Sequence, residues 1–514
     1  MNAERLGKYM INLNKKNFTE ISQWSLRDIT KIFQRTLNHS ELHNIYKNIK
    51  IIHEILFYTL SSINKEEINN ISKQVIDIII DIFQYSEEDK NKLYKCFDSK
   101  AEFKKDNMEN WYIFKGECCI SLDIFKDNFG FSENSRIEDN PLYKLNTLLE
   151  DLFQIILSTD KEPILLIGPS GYKTFLAQKL VSNSQTITLN QESSIEQLLG
   201  TTSFFLKSEI NDFYLRLIIL ICGFNNYVEL SQKLREKKLD KKELDMLINS
   251  KKNNLPKSFY YALDTCCDKL FQKKKREDEF NPLSNMEIAF KPGLFLNAIL
   301  GGYNLILKNI SNLPTIILER FNELFSGKCI ITINEDITNT ISDEKNNKII
   351  SDFYKKFRVF GTCPPGANSL LSEAIISKFT LIYVGEYALN EYETVLRSYC
   401  DLKGLYTITD NNIININKYS QKLNSVFSGI NITLFQMTNI LNLAHNINKN
   451  IKDIENNNLT SDDVLFIIFY YSVRGILDNR ENNVLINLLK ELYNNDNLKK
   501  SLEEGLKKKT LQFI

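Results

Sequence analysis

Histidine is scarce in this chain, four among 514 residues, and none of the nine cysteines stands in a C-x-x-C pair. Zinc and covalently attached haem are held by such spacings, so neither zinc nor haem is expected as a cofactor. The adjoining cysteines, Cys118-Cys119 and Cys266-Cys267, read as free, mostly buried thiols of a reducing compartment. Long apolar runs are missing too. Ile76–Phe83 and Val464–Tyr471 are apolar but fall well short of the roughly 20 residues that cross a bilayer. The opening Met1-Asn-Ala-Glu-Arg5 has no signal-peptide character. Nor is there an excess of either charge: 64 Lys and Arg face 64 Asp and Glu, leaving no global field for nucleic acid or an anionic membrane. Of the local basic runs, Lys507–Lys509 is short, and Lys273–Arg276 runs straight into Glu277-Asp-Glu279, the pattern of a solvated helix face. An intracellular protein of cytoplasm or nucleus is expected, with no membrane partner and no direct nucleic-acid binding. Alanine and glycine are sparse while Asn, Ile, Lys and Tyr abound, a bias that fits an AT-rich genome.

Against these absences stands one strong local pattern. Glu162-Pro-Ile-Leu-Leu-Ile167 reads as a buried strand, and Thr174 to Val181 as the helix that follows it. Between them lies Gly168-Pro-Ser-Gly-Tyr-Lys-Thr174. A phosphate-binding loop reads G-x-x-x-x-G-K-[ST] in this context. Here Gly168 precedes Lys173 by one position too few, and Tyr172 replaces the glycine before the lysine. Gly168, Ser170, Gly171, Lys173 and Thr174 are the candidate phosphate contacts. Thr174 is the candidate magnesium ligand if nucleotide binds, and ATP with magnesium is the one cofactor the loop suggests.

Downstream, apolar runs alternate with helical periods, as in an α/β unit. Further strands are predicted at Thr186–Leu189, Tyr303–Leu307, Arg358–Thr362 and Thr380–Val384, with a short one within Lys328–Glu335 and a polar hairpin or loop over Asp336–Asp352. Helices are predicted at Ser194–Leu199, Pro314–Phe325 and Leu370–Ser377. Phe205–Phe290, rich in Lys, Glu and Leu, lacks strand alternation and reads as a helical insertion. The two ends of the chain resemble each other: Trp24–Gln34 with Ile55–Leu60, and Ile432–Leu441 with Ile468–Val473. Leu26, Ile29 and Phe33 share one helical face, as do Leu434, Met437 and Leu441, and Ser25 and Thr433 stand ready to cap. A helical module therefore recurs on either side of one α/β core.

Ordered segments in that core resemble the dynein-related AAA+ family, in its midasin-like modules. Leu189-Asn-Gln-Glu-Ser-Ser-Ile-Glu-Gln-Leu-Leu-Gly200 is similar to the segment after the second strand. Phe290-Lys-Pro-Gly-Leu-Phe-Leu-Asn-Ala-Ile-Leu-Gly-Gly-Tyr303 is similar to the approach to the Walker B strand. Ile316–Phe325, Phe357–Thr362 and Leu371–Phe379 resemble the helix after Walker B, the sensor-1 strand and the helix that follows it.

The resemblance implies a P-loop core, a five-stranded parallel αβα sandwich, between two all-α lid domains. The expected boundaries are 1–100 for the lid of a preceding module, 101–400 for the core with its insertion at 205–290, and 401–514 for the second lid. It also implies roles, and several residues depart from them. The Walker B carboxylates are replaced by Lys308 and Asn309, the sensor-1 amide by Pro364 in Thr362-Cys-Pro-Pro365, the arginine finger by Lys378, and the sensor-2 arginine by Phe435. Only the first lid keeps its arginine, Arg27, read either as serving an upstream core or as a surface ion pair.

Lost together, these groups point to a catalytically degenerate module with little or no hydrolysis, its loop either a nucleotide site or only a strand-to-helix turn inherited from an ATPase. Its implied partners are neighbouring AAA+ modules in a ring, of the same or other chains, and a protein or ribonucleoprotein client, by analogy a precursor of the large ribosomal subunit. Two alternatives stay open: an active AAA+ motor whose base comes from Glu319, Glu323 or a neighbour, and a helical interaction scaffold with the α/β centre as spacer.

Overall fold

The computed structural model describes residues 8–9, 26–38, 50–105, 111–121, 145–157, 162–168, 172–271, 286–426, 432–450 and 460–474, apart from short gaps inside the longer stretches. The chain divides into two compact units. One comprises 1–134, 150–169 and 173–385, the other 135–149, 170–172 and 386–514.

The first unit opens with helices Leu26–Asn38, Lys50–Ser61, Ile68–Phe83 and Glu87–Asp98. An antiparallel meander follows, β1 (Ala101–Lys105), β2 (Trp111–Lys115) and β3 (Cys118–Ser121), paired in that order. Sequence reading passes over it, because Trp111-Tyr-Ile-Phe114 is a continuous apolar run with no alternation.

Nine more strands follow: β4 (Ile164–Ile167), β5 (Ser184–Thr188), β6 (Gly200–Leu206), β7 (Met286–Pro292), β8 (Asn304–Lys308), β9 (Ile331–Thr332), β10 (Ile349–Ile350), β11 (Val359–Cys363) and β12 (Thr380–Tyr383). Five of them form one sheet in the order β12-β4-β11-β8-β5, with every pairing parallel. All four residues of β4 and all five of β11 are buried, as parallel strands covered on both faces require. The fold is α/β with a five-stranded parallel sheet flanked by helices, and its five strands lie within a residue or two of their predicted positions. β9 lies within the strand predicted at Lys328–Glu335, and it pairs antiparallel with β10, which falls in the stretch read as a hairpin tip or loop.

The insertion departs from expectation at its base. Four helices are present, Lys207–Cys222, Tyr227–Arg235, Lys241–Lys252 and Ser258–Phe271. They stand on an antiparallel ribbon in which β6 pairs with β7 from Gly200↔Pro292 to Leu206↔Met286. Met286–Phe290, predicted to be strand-free, is therefore strand, and its Met-Glu-Ile-Ala-Phe pattern hid the alternation.

The ribbon also explains two of the sequence motifs. Gly293 N–H donates to the Leu199 carbonyl at 2.9 Å. A Cβ on Gly293 would come within 2.6 Å of the Gln197 and Leu198 backbone, and one on Gly200 (φ +128°) within 2.4 Å of the Lys291 carbonyl. The two glycines let two backbones cross in contact.

Pro314–Phe325, predicted as one helix, is two: Thr315–Glu319 and Asn322–Phe325. Phe321 leaves helical geometry between them (φ −96°, ψ 10°). It is fully buried against Phe295, with ring centroids 4.5 Å apart, in a cluster that continues through Phe325 to Phe379. Packing of one aromatic side chain outweighs the continuity of a short helix.

Helix Leu26–Asn38 meets the sheet through a polar stripe at a spacing of four residues. Arg27 Nη2 makes a long bond, 3.5 Å, to the Phe325 carbonyl, and Lys31 Nζ donates to the Phe379 carbonyl at 2.9 Å. Arg35 forks onto Glu162 just before β4, Nη2 to Oε2 at 2.8 Å and Nε to Oε1 at 3.3 Å. Thr380 Oγ1 donates to the same carboxylate at 2.6 Å, and Tyr58 lies under the guanidinium at 4.8 Å. Arg35 is 1% exposed and Glu162 6%. Burial alone would raise the Glu162 carboxyl, but the Arg35 charge and hydrogen bonds, helped by Lys31 and Thr380, hold it down at about 2. Lys31 is pushed down to about 8 by burial, against the pull of Glu162 and Asp28.

The second unit is helical: Tyr392–Lys403, Asp410–Val426, Leu434–Asn450 and Ser461–Arg474. Three of these begin with reciprocal caps. Thr433, the predicted cap, pairs with Gln436, Thr409 with Asn412, and Thr460 with Asp463, each hydroxyl accepting from the third residue on while that side chain accepts from the cap N–H. Met437 and Leu441 are buried as the periodicity predicts, whereas Ile29 and Phe33 at the other end of the chain are half-buried. Ser25, and residues 475–514 of the predicted second lid, lie outside the described residues.

Two measurements follow. Glu162→Gln leaves a buried guanidinium unpaired and should cost about 3–5 kcal/mol of unfolding free energy in urea. Because the folded carboxyl lies below its ordinary value, its contribution is complete above pH about 4.5 and fades as pH falls through about 2. The variant's acid unfolding should be shallower over that window. Gly293→Ala should lower the urea midpoint by an amount equivalent to about 1–3 kcal/mol, the cost of forcing a methyl into a packed contact.

Candidate functional site at the strand ends

β4 and β11 are neighbours, paired from Phe360↔Ile164 to Cys363↔Ile167. The chain leaves β4 for β5 toward one edge of the sheet and leaves β11 for β12 toward the other. Right-handed crossovers therefore put the two following helices on opposite faces. Ligands of open α/β sheets bind in the crevice that such a reversal opens beyond the strand C-termini. Gly168 lies at this point, with its N–H toward the Cys363 carbonyl at 3.4 Å.

Of the loop candidates, Ser170 and Gly171 lie outside the described residues. Gly168 is buried, and a Cβ there would stand 2.4 Å from the Val384 carbonyl. Close packing against the end of β12 thus accounts for this glycine without any ligand. Helix Tyr172–Leu180 begins one residue before Lys173, and Thr174 is half-buried on its first turn. Lys173 is 6% exposed and its ammonium donates to the Gly168 carbonyl. Burial pushes it down to about 8, Lys308 adding to the effect and the Cys363 thiol opposing it. Cys363 itself is raised by burial to about 11, so it stays a thiol at neutral pH.

Lys308 closes β8, in register with Thr362 of β11. It is half-buried and has no ion pair among the described residues. Glu319 and Glu323, the acids weighed as a base, are exposed, and Glu319 makes no ion pair with Lys308. Asn309 adopts the left-handed conformation (φ 59°, ψ 49°), which asparagine tolerates better than most residues. Its N–H donates to Thr362 Oγ1 at 3.3 Å. Thr362 is fully buried, while Pro364 is exposed just past β11. Lys378 ends the turn after helix Glu373–Ile376 and is half-buried. Phe435 falls in helix Leu434–Asn450, and its side chain lies outside the described residues. Arg27, read from sequence as serving an upstream core or a surface ion pair, reaches the Phe325 carbonyl of its own chain.

The structure thus brings Gly168, Lys173, Thr174, Lys308, Asn309 and Thr362 to the ends of three adjacent strands. Sequence reading missed Cys363 and Thr362 as neighbours of the lysines, since register across a sheet is not visible in one chain segment. Magnesium does not fit this donor set. Lys308 brings an ammonium to the strand ends, and the described residues contain no cluster of three acidic, histidine or cysteine side chains. A phosphate group fits better, because Lys173 and Lys308 stand near enough for one charge to act on the other.

These features define a parallel α/β protein with two lysines, Lys173 and Lys308, at the strand ends beside its switch point. No known protein-family model matches the chain.

The depressed Lys173 gives a signed pH dependence. Its charged form is disfavoured in the folded state, so the cost is full below pH about 8. It is relieved as pH rises toward 10.5, where the unfolded chain still holds the proton. Urea unfolding should show wild type gaining stability relative to Lys173→Met over that interval, with no change in the difference below pH 7.

Proposed function

We propose that this chain is a catalytically degenerate AAA+ module that holds a nucleotide with little or no hydrolysis. One observation carries the reading: Lys308 ends the strand two places from β4 in the sheet, where an active site would need a carboxylate for the metal and the attacking water. Several further features support it. The five-stranded parallel sheet has the size and direction that the family's core implies. The crevice lies where such folds bind ligands, and a buried lysine follows the loop. The motif glycines Gly200 and Gly293 have a shared structural task, so those segments persist for packing and need no catalysis to explain them.

The module's role is then structural or regulatory within a larger ring, passing on movements that active neighbours make. The client is a macromolecular assembly, by family analogy a precursor of the large ribosomal subunit.

Purified protein should bind ADP and ATP in a thermal-shift or calorimetric measurement and lose that binding in Lys173→Ala. ATP turnover should be indistinguishable between wild type and Lys173→Ala. Turnover that disappears with Lys173 would overturn the reading in favour of an active motor. Absence of any nucleotide effect on a folded protein would favour a scaffold whose α/β centre is only a spacer.

A further inference from the structure

We propose that the crevice takes the phosphate chain of a nucleoside di- or triphosphate without a divalent cation, the Lys308 ammonium standing where that cation would. The inference rests on the nucleotide-binding reading above and specifies the form of ligand that the site selects.

The geometry places two ammonium groups beside one switch point. Lys173 follows β4 and reaches back to Gly168; Lys308 ends β8, and between the two strands runs β11, joined to both in register. Neighbouring strands lie about 4.8 Å apart, so long lysine side chains from either side can meet one phosphate chain over Thr362 and Cys363. Lys308 is half-buried and lacks an ion-pair partner among the described residues. A cation held out of full solvent without an anion is a poor arrangement for stability alone, and an anionic ligand supplies what is missing. Asn309 takes the left-handed conformation just after Lys308.

Electrostatics then choose between two forms of the ligand. A free di- or triphosphate carries its full negative charge and gains from both lysines. The magnesium complex has part of that charge neutralised, and its metal must approach a fixed ammonium with no carboxylate opposite. The site therefore discriminates against the form of nucleotide that active ATPases require. Binding without the metal also leaves no electrophile at the phosphates, consistent with a nucleotide that is held and not turned over.

Calorimetric titration of the full chain with ADP, once with excess magnesium and once with a chelator, tests this. Wild type should bind more tightly with the chelator, by about tenfold or more, the effect expected of a charge-assisted contact. Lys308→Gln should weaken the metal-free binding by a similar factor and bring the two conditions together. Lys308→Asp should reverse the preference, so that ADP binds better with magnesium. Thermal unfolding of each variant verifies that it is folded. Wild-type binding that requires magnesium would overturn this inference and leave the nucleotide-binding reading intact. Absence of ADP binding under both conditions, with the protein folded, would overturn the reading itself.

Discussion

An ion pair ties the helical beginning of the chain to its central sheet. Arg35 and Glu162 are both buried, joined by two hydrogen bonds, with the carboxylate also accepting from Thr380 at the start of β12. Such a pair contributes little net stability compared with a well-packed apolar contact, but it is exacting in geometry. It sets helix Leu26–Asn38 against the starting ends of β4 and β12, the edge strand and its neighbour. Lys31, one turn earlier, reaches the Phe379 carbonyl and reinforces the same alignment. The opposite ends of those strands form the crevice, so the two charged regions of the sheet lie at opposite ends, one satisfied internally and one open.

That difference sets the character of the first unit. At the Arg35 end, charges of both signs close on each other and the carboxyl is held ionised. At the Lys173 end, two positive groups act on one another, and burial makes the ammonium easier to discharge. Folding stability accounts for the former. For the latter it supplies a cost, and costs of this kind concentrate at functional sites.

Much of the core was legible in the sequence because its strands are buried on both faces and stand out as short aliphatic runs between helical periods. Ile164-Leu-Leu-Ile167 and Leu305-Ile-Leu307 are examples. The meander at 101–121 and the strand at 286–292 were not legible: Trp111-Tyr-Ile-Phe114 is a short apolar run that periodicity alone does not assign, and the alternation of Met286, Ile288 and Phe290 is blurred by Ala289. The polar stripe of Arg27, Lys31 and Arg35 was hidden for another reason. Reading for an apolar face on that helix selects Leu26, Ile29 and Phe33, and discards Lys31 and Arg35, while Arg27 was noticed only through the family resemblance and with another partner in view. At the site, Lys308 was conspicuous by its charge in a position where an acid is expected. What could not be read was its surroundings, because strand register and the distance to an acidic partner depend on the whole sheet. Gly168 teaches the converse: a residue that looks like part of a phosphate loop is fully explained by its contact with Val384.

The ribbon of β6 and β7 has a consequence for how this protein can change over evolutionary time. Gly200 and Pro292 are paired partners, so the chain leaves the core and returns to it at adjacent points. A segment whose ends already touch can be lengthened, shortened or exchanged at little cost in loop closure. The helices it carries are thus free to diversify while the sheet beneath them stays constrained. The crossing at Gly200 and Gly293 works as a graft junction, and the region above it is where lineages sharing this core can differ most.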